Sequence, residues 1–220
     1  MNRLAWWAAG ASILLLVSVP AWVSVSKPAS DVGSLEPLRR AKVPAPEEAD
    51  AGGLRLPNVV VRSGLLPSKA ISAEGEIPER LRIGAIGVDA SILPVGVSGG
   101  TTEVPADVHE VGWYRFGGHP GGSGSTLLLA HVSSGIQGPG VFFRLRDLAP
   151  GDDVLVEMRD GSSSLFRVFA RRSYPKEALP HRLFSRTGPA SLALVTCGGP
   201  FSEATGRYED NVVVYAVPRG

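Results

Sequence analysis

A disulfide needs two cysteines, and this chain has one, Cys197, so no intramolecular bridge can staple the fold. Neither sign of charge dominates. The 22 Lys and Arg against 21 Asp and Glu leave a formal +1, which excludes a strongly electrostatic nucleic-acid binder. Aromatic residues make up only 7% of the chain, and none falls between Ser26 and Glu76. The 4 histidines include no close-spaced pair, and with a single cysteine that leaves no zinc ligand set. A G-x-S-x-G nucleophile elbow is missing. The glycine-rich stretch Gly117-Gly118-His119-Pro120-Gly121-Gly122 lacks the lysine and following helix of a phosphate loop.

What is present begins with one long apolar run. Leu4 to Val25 carries no charge, and as a helix it would rise roughly 33 Å, enough to cross a bilayer core. Trp6, Trp7 and Trp22 lie near its ends, where amphipathic rings favour the membrane interface. The rival reading is a cleaved signal peptide, with Ser24-Val25-Ser26 as its small-residue cleavage site. An uncleaved anchor is expected, because the run is longer than a signal core. Lys27, Arg39, Arg40 and Lys42 follow the span, so charge bias does not orient it. Residues 26–76 are rich in Pro, Ala, Gly, Glu and Ser, too poor in apolar area to offset their ordering entropy. The expected organisation is an anchor over residues 1–25, a flexible linker over 26–76, and one folded domain over 77–220.

In that domain the 27 Gly and 18 Pro of the chain punctuate short apolar segments, the pattern of β structure. Leu81 to Val88 reads as a strand with a turn, and Thr126 to Val132 as a buried strand. Asp153 to Arg159 and Leu165 to Arg171 alternate around Asp160-Gly161, a hairpin signal. Ser191 to Thr196 and Asn211 to Val217 complete the set, while Phe142 to Leu148 is the best short helix. At least six such strands imply an all-β domain, a closed or partly closed antiparallel barrel.

Three residues carry the chemistry. Cys197 ends an apolar strand and runs into Gly198-Gly199-Pro200, which offers a rigid approach and an open exit for a nucleophile. A lone buried cysteine is ordinarily inert. In an exported chain a free thiol risks oxidation, which favours a functional reading. His131 also ends a strand, and its imidazole suits proton donation to a leaving amine. Arg207, ahead of the last strand, is a permanent cation with five donors. Thr196 and Gly198 flank the thiol and Ser133 follows His131, making these three the candidate substrate-binding positions. His109, His119 and His181 lie in turn-like sequence and read as surface residues.

The order His131, Cys197, Arg207, each at a strand edge behind an apolar anchor, resembles the sortases. Leu194-Val195-Thr196-Cys197 is similar to their signature strand ending in Thr-Cys. Leu81 to Val88, Val111-Gly112-Trp113-Tyr114, Leu145 to Gly151 and Asp210 to Ala216 share the family's look. Among sortases the actinobacterial class F group is the most similar, over about Ile77 to Val217. The resemblance implies a closed eight-stranded β barrel with short helices, held extracytoplasmically in the cell membrane by an N-terminal transmembrane helix. It implies a cysteine transpeptidase without a cofactor that cuts an L-P-x-T-G sorting signal between Thr and Gly. Cys197 would form the thioester, His131 would protonate the departing amine, Arg207 would steady the oxyanion, and a cell-wall amine would take the acyl group. Two positions depart from the family pattern. Ala130 stands where many relatives have Gly, and relatives often carry the arginine around the positions of Glu209 to Asn211. Arg207 and Asn211 would share a face of an extended strand. The competing readings are a thiol peptidase that does not transfer, a peptidoglycan cross-linking enzyme of the L,D type, and a β domain that only binds a partner. The L,D type would place its histidine close to the cysteine in sequence, unlike this chain.

Overall fold

The computed structural model describes residues 31–40, 76–98 and 101–219. The expected anchor Leu4 to Val25 lies outside the described residues, as does most of the linker.

Eight of the described strands form the barrel: β1 Pro78–Ile83, β2 Val88–Val95, β3 Val111–Tyr114, β4 Ser125–Leu129, β5 Asp153–Met158, β6 Ser163–Pro175, β7 Ser191–Ser202 and β8 Arg207–Pro218. They pair in the order β6-β5-β1-β2-β3-β4-β7-β8, and β8 pairs back onto β6 to close the barrel. The sheet is mixed rather than wholly antiparallel, because β2 pairs with β3 and β4 with β7 in parallel. Parallel partners need long crossovers, which the chain supplies between β4 and β7.

Local chemistry accounts for the elements. Gly87 adopts φ 70°, a left-handed turn that ends the 3-10 turn Gly84–Ile86 and starts β2. Asp160-Gly161 makes the hairpin expected of it: the Asp160 carboxylate accepts from the Ser162 amide at 2.9 Å and Gly161 has φ 85°. Phe142 to Leu148 is not a continuous helix but a series of turns with a 3-10 segment at Leu145–Asp147. Phe142, Leu145 and Leu148 recur every three residues, the 3-10 period, and all three are fully buried in the barrel core.

Alternation splits the apolar residues into two cores. Leu81, Ile83, Val154, Val156, Phe166, Leu192, Leu194 and Val214 fill the interior. Leu127, Leu129, Ala193, Val195, Val213 and Tyr215 point outward into a second cluster, beneath the connection between β6 and β7. Strands β4, β7 and β8 are thus buried on both faces, so their sequences are continuously apolar instead of alternating. Burial and a hydroxyl contact with Tyr174 at 3.0 Å raise the Tyr215 phenol pKa far above its ordinary range.

Within the stretch expected to be a flexible linker, residues 31–40 lie against the barrel. Val32–Gly33 adds a short strand to β6 opposite Arg171 and Ala170. The Arg172 guanidinium donates to the carbonyls of Val32 and Gly33, both at 2.7 Å. Gly33 has φ 80°, and a Cβ there would meet the Phe169 carbonyl oxygen at 2.0 Å, so only glycine fits. Leu35 and Leu38, the latter in the short helix Glu36–Arg40, pack on the outer core.

Candidate active site

Pairing of β4 with β7 determines the site. Val195 lies opposite Leu129 in the last pair of the parallel ladder, and Cys197 and His131 each follow two residues further on. Both side chains line one cleft of about 400 Å³, together with Lys176, Thr196, Asn211 and an apolar floor that includes Leu129 and Leu183. The backbone before His131 is held from two sides. The Ala130 amide donates to the Val195 carbonyl at 3.2 Å, and the Thr196 hydroxyl donates to the Ala130 carbonyl at 2.7 Å. Beyond it, the Phe142 amide donates to the His131 carbonyl at 3.3 Å. Ala130 itself is buried in the interior core, where its methyl group is accommodated.

Glycine is required after the thiol. The register slips between Gly198 and Phe201, and Gly199 has φ 75°. A Cβ on Gly198 would meet Val212 at 2.5 Å, and one on Gly199 would meet the Asp210 carboxylate at 2.4 Å. The bulge also opens a second, smaller cavity of about 80 Å³ on the other side of Cys197, lined by Val132, Phe142, Arg146, Thr196, Gly198 and Tyr208. Half-buried Cys197 therefore stands between two cavities.

Thr196 and Gly198 are in place around the thiol, whereas Ser133 is not among the residues lining either cavity. It pairs with Pro139 in a separate two-stranded ribbon. Arg207 is also outside the cleft. Asn211 is the partner of Cys197, and four residues of strand advance about 13 Å, so Arg207, paired with Ser202, sits well beyond the sulfur. It is exposed, in a shallow depression shared with Glu177, Tyr208 and Glu209.

The cation at the thiol is a residue that sequence reading missed. Lys176 follows β6 at the start of the 3-10 turn Lys176–Ala178. Pairing of Tyr174 with Asn211 and of Pro175 with Asp210 carries it over the site. Its ammonium donates to Cys197 Sγ at 2.9 Å and to Asn211 Oδ1 at 3.5 Å. Nothing in the segment Tyr174-Pro175-Lys176-Glu177 marks it, because only the closure of β6 on β8 brings it near Cys197.

The remaining histidines do not line the cleft. His109 and His181 are exposed. His119 is half-buried, not a surface residue: its Nε2 is 3.6 Å from a Glu76 carboxylate oxygen, and Gly122 packs too close to the ring to carry a Cβ.

The geometry can deliver a thiolate, a proton donor and a cation to one bound carbonyl group. Thr196→Val tests how much the hydroxyl tie contributes. Losing one buried hydrogen bond is expected to cost about 1 kcal/mol of stability. Loosening the His131 backbone should lower kcat about tenfold with KM nearly unchanged, measured by thermal melting and steady-state kinetics.

Residues 81–219 match the family model of the sortase domain. No curated protein matches the chain in sequence. Among solved structures, sortase A from Corynebacterium diphtheriae is similar at a TM-score of 0.51 and 17% identity, over 67% of this chain and 63% of that one. The structure of Streptococcus agalactiae sortase C1 in complex with MTSET is similar at 0.51 and 19% identity, over 64% of this chain and 66% of that one. The chain therefore spans slightly less than two thirds of either relative.

Proposed function

Since this chain belongs to the sortase family of cysteine transpeptidases, we propose that Cys197 and His131 are its catalytic pair and that it cuts an L-P-x-T-G sorting signal between Thr and Gly. The observation that carries the reading is the parallel pairing of β4 and β7, whose ends deliver His131 and Cys197 to one cleft. The apolar floor of Leu127, Leu129, Leu183, Phe184 and Val195 suits the Leu-Pro half of such a signal.

The Cys197 thiolate attacks the Thr carbonyl carbon and the carbonyl electrons move onto oxygen. When the adduct collapses, the C–N bond breaks, and the departing Gly amine takes a proton from the His131 imidazolium. The thioester that remains is attacked by a second amine, from a cell-wall precursor, whose proton returns to His131 as the C–S bond breaks. Arg207, outside the cleft, takes no part in these steps. Leu4 to Val25 would hold the domain at the outer face of the cell membrane, where both the sorting signal and the acceptor amine are found. The sequence likeness favours class F among the sortase classes.

The test uses the full chain in detergent with an L-P-x-T-G peptide, with and without an oligoglycine amine, read by mass spectrometry. A thioester adduct of the chain and an amine-dependent transfer product are expected. Cleavage that ignores the amine would point to a thiol peptidase instead. No adduct across a panel of sorting sequences would leave a domain that only binds.

A further inference from the structure

The family pattern puts an arginine on the last strand, but in this chain the guanidinium of Arg207 is outside the cleft and Glu209 lies on the strand between it and Asn211. We propose that Lys176, reaching in from the end of β6, is the catalytic cation of this enzyme. It acts first as counter-charge to the Cys197 thiolate and then as a hydrogen-bond donor to the oxyanion.

With Cys197 as the nucleophile, the role of Lys176 follows from its position. The Lys176 ammonium has three N–H donors. One is directed at Sγ at 2.9 Å and one at Asn211 Oδ1 at 3.5 Å. Asn211 is buried and directly opposite Cys197 in the β7–β8 register, so the amide aims the ammonium along the strand pair. When sulfur bonds to the carbonyl carbon it loses its negative charge, and the donor that faced it is released. The new oxyanion is one bond from that carbon, within reach of an ammonium already in contact with the sulfur. Charge thus moves from sulfur to oxygen and back while the cation stays in place.

Two other basic residues border the cavities beside the thiol, His131 in the cleft and Arg146 in the smaller cavity, but among the described residues Lys176 is the one with a hydrogen bond to Sγ. Ionisable residues bordering the same two surfaces are His131 and Cys197 in the cleft, and Glu177, Arg207, Tyr208 and Glu209 in the adjoining depression, while Asp210 lies opposite Pro175, one residue before Lys176. Of the two basic residues on the depression, only Lys176 also lines the cleft.

Four chains decide the matter: the parent, Lys176→Met, Lys176→Arg and Arg207→Ala, each full-length and checked for an unchanged thermal melt. The first readout is alkylation of Cys197 by iodoacetamide at pH 7, which needs no sorting peptide. Lys176→Met is expected to slow alkylation about tenfold, while Arg207→Ala should match the parent. The second readout is cleavage of the L-P-x-T-G peptide. Lys176→Met should lower kcat about 100-fold with KM within about threefold, the loss typical of one oxyanion donor. Lys176→Arg should recover most of that loss, and Arg207→Ala should stay within about threefold of the parent. Parental alkylation and kcat in Lys176→Met would overturn the proposal, as would the same losses appearing in Arg207→Ala instead. If the parent cuts no sorting peptide, the proposed substrate fails, and alkylation still decides whether Lys176 serves the thiol.

Discussion

Cys197→Ala will abolish both the acyl-enzyme and the transfer product, with turnover at least about 10⁴-fold below the parent. Among the described residues lining the cleft the hydroxyls are those of Thr101, Thr102 and Thr196, alcohols far less ionised than a thiol, and the Thr196 hydroxyl is committed to the Ala130 carbonyl, while Lys176 is the cation beside the thiol. The substitution removes one sulfur from a half-buried site at the boundary of two cavities, so water can fill the space. Stability should therefore change by no more than about 1 kcal/mol. Cys197→Ser should be almost as inactive, because an alcohol at neutral pH offers far less anion than a thiol. Intact mass and peptide turnover by chromatography check both variants. A variant without sulfur that still transfers would remove Cys197 from the mechanism.

The second large effect concerns His131. Its role is to protonate an amine that otherwise leaves poorly, so His131→Ala should lower kcat on the peptide about 10³-fold with little change in KM. The backbone at this position is fixed by the contacts of Ala130 and Phe142 rather than by the imidazole, so the fold should survive. A substrate whose leaving group needs no proton separates this role from positioning. With an activated ester of the same acyl sequence, His131→Ala should lose only about tenfold in thioester formation. Equal losses on peptide and ester would mean that the ring orders the cleft instead of supplying the proton.

Much of this arrangement was legible in the residues. Thr196-Cys197-Gly198-Gly199 announced a strand running into a small-residue exit, and the glycines prove necessary because Val212 and Asp210 occupy the space on their β8 side. Asp160-Gly161 fixed its hairpin because the turn chemistry is local. Burial on both faces of β4 and β7 was less accessible. A continuous apolar run such as Thr126 to Ala130 has no period from which to read its neighbours, so the parallel pairing of β4 with β7 could not be inferred. That Arg207 lies outside the cleft and Lys176 inside it was hidden for one reason. Spacing along β8 suggested a shared face with Asn211 but not the distance to Cys197, and Lys176 enters from a strand that meets the site only through barrel closure. The docked segment 31–40 escaped notice because two leucines and one glycine do the work there, inside a composition typical of disorder.

Strand β8 is inserted between β7 and β6, and it is the last barrel strand in chain order. Without it the other seven strands would make an open sheet, edged by β7 on one side and β6 on the other. Until β8 arrives, β6 cannot be drawn across, and the lysine, the asparagine and the thiol remain apart. The histidine shares the sheet with the sulfur through β4 and β7, whereas the cation and its asparagine join the site in the same event that seals the exposed edges.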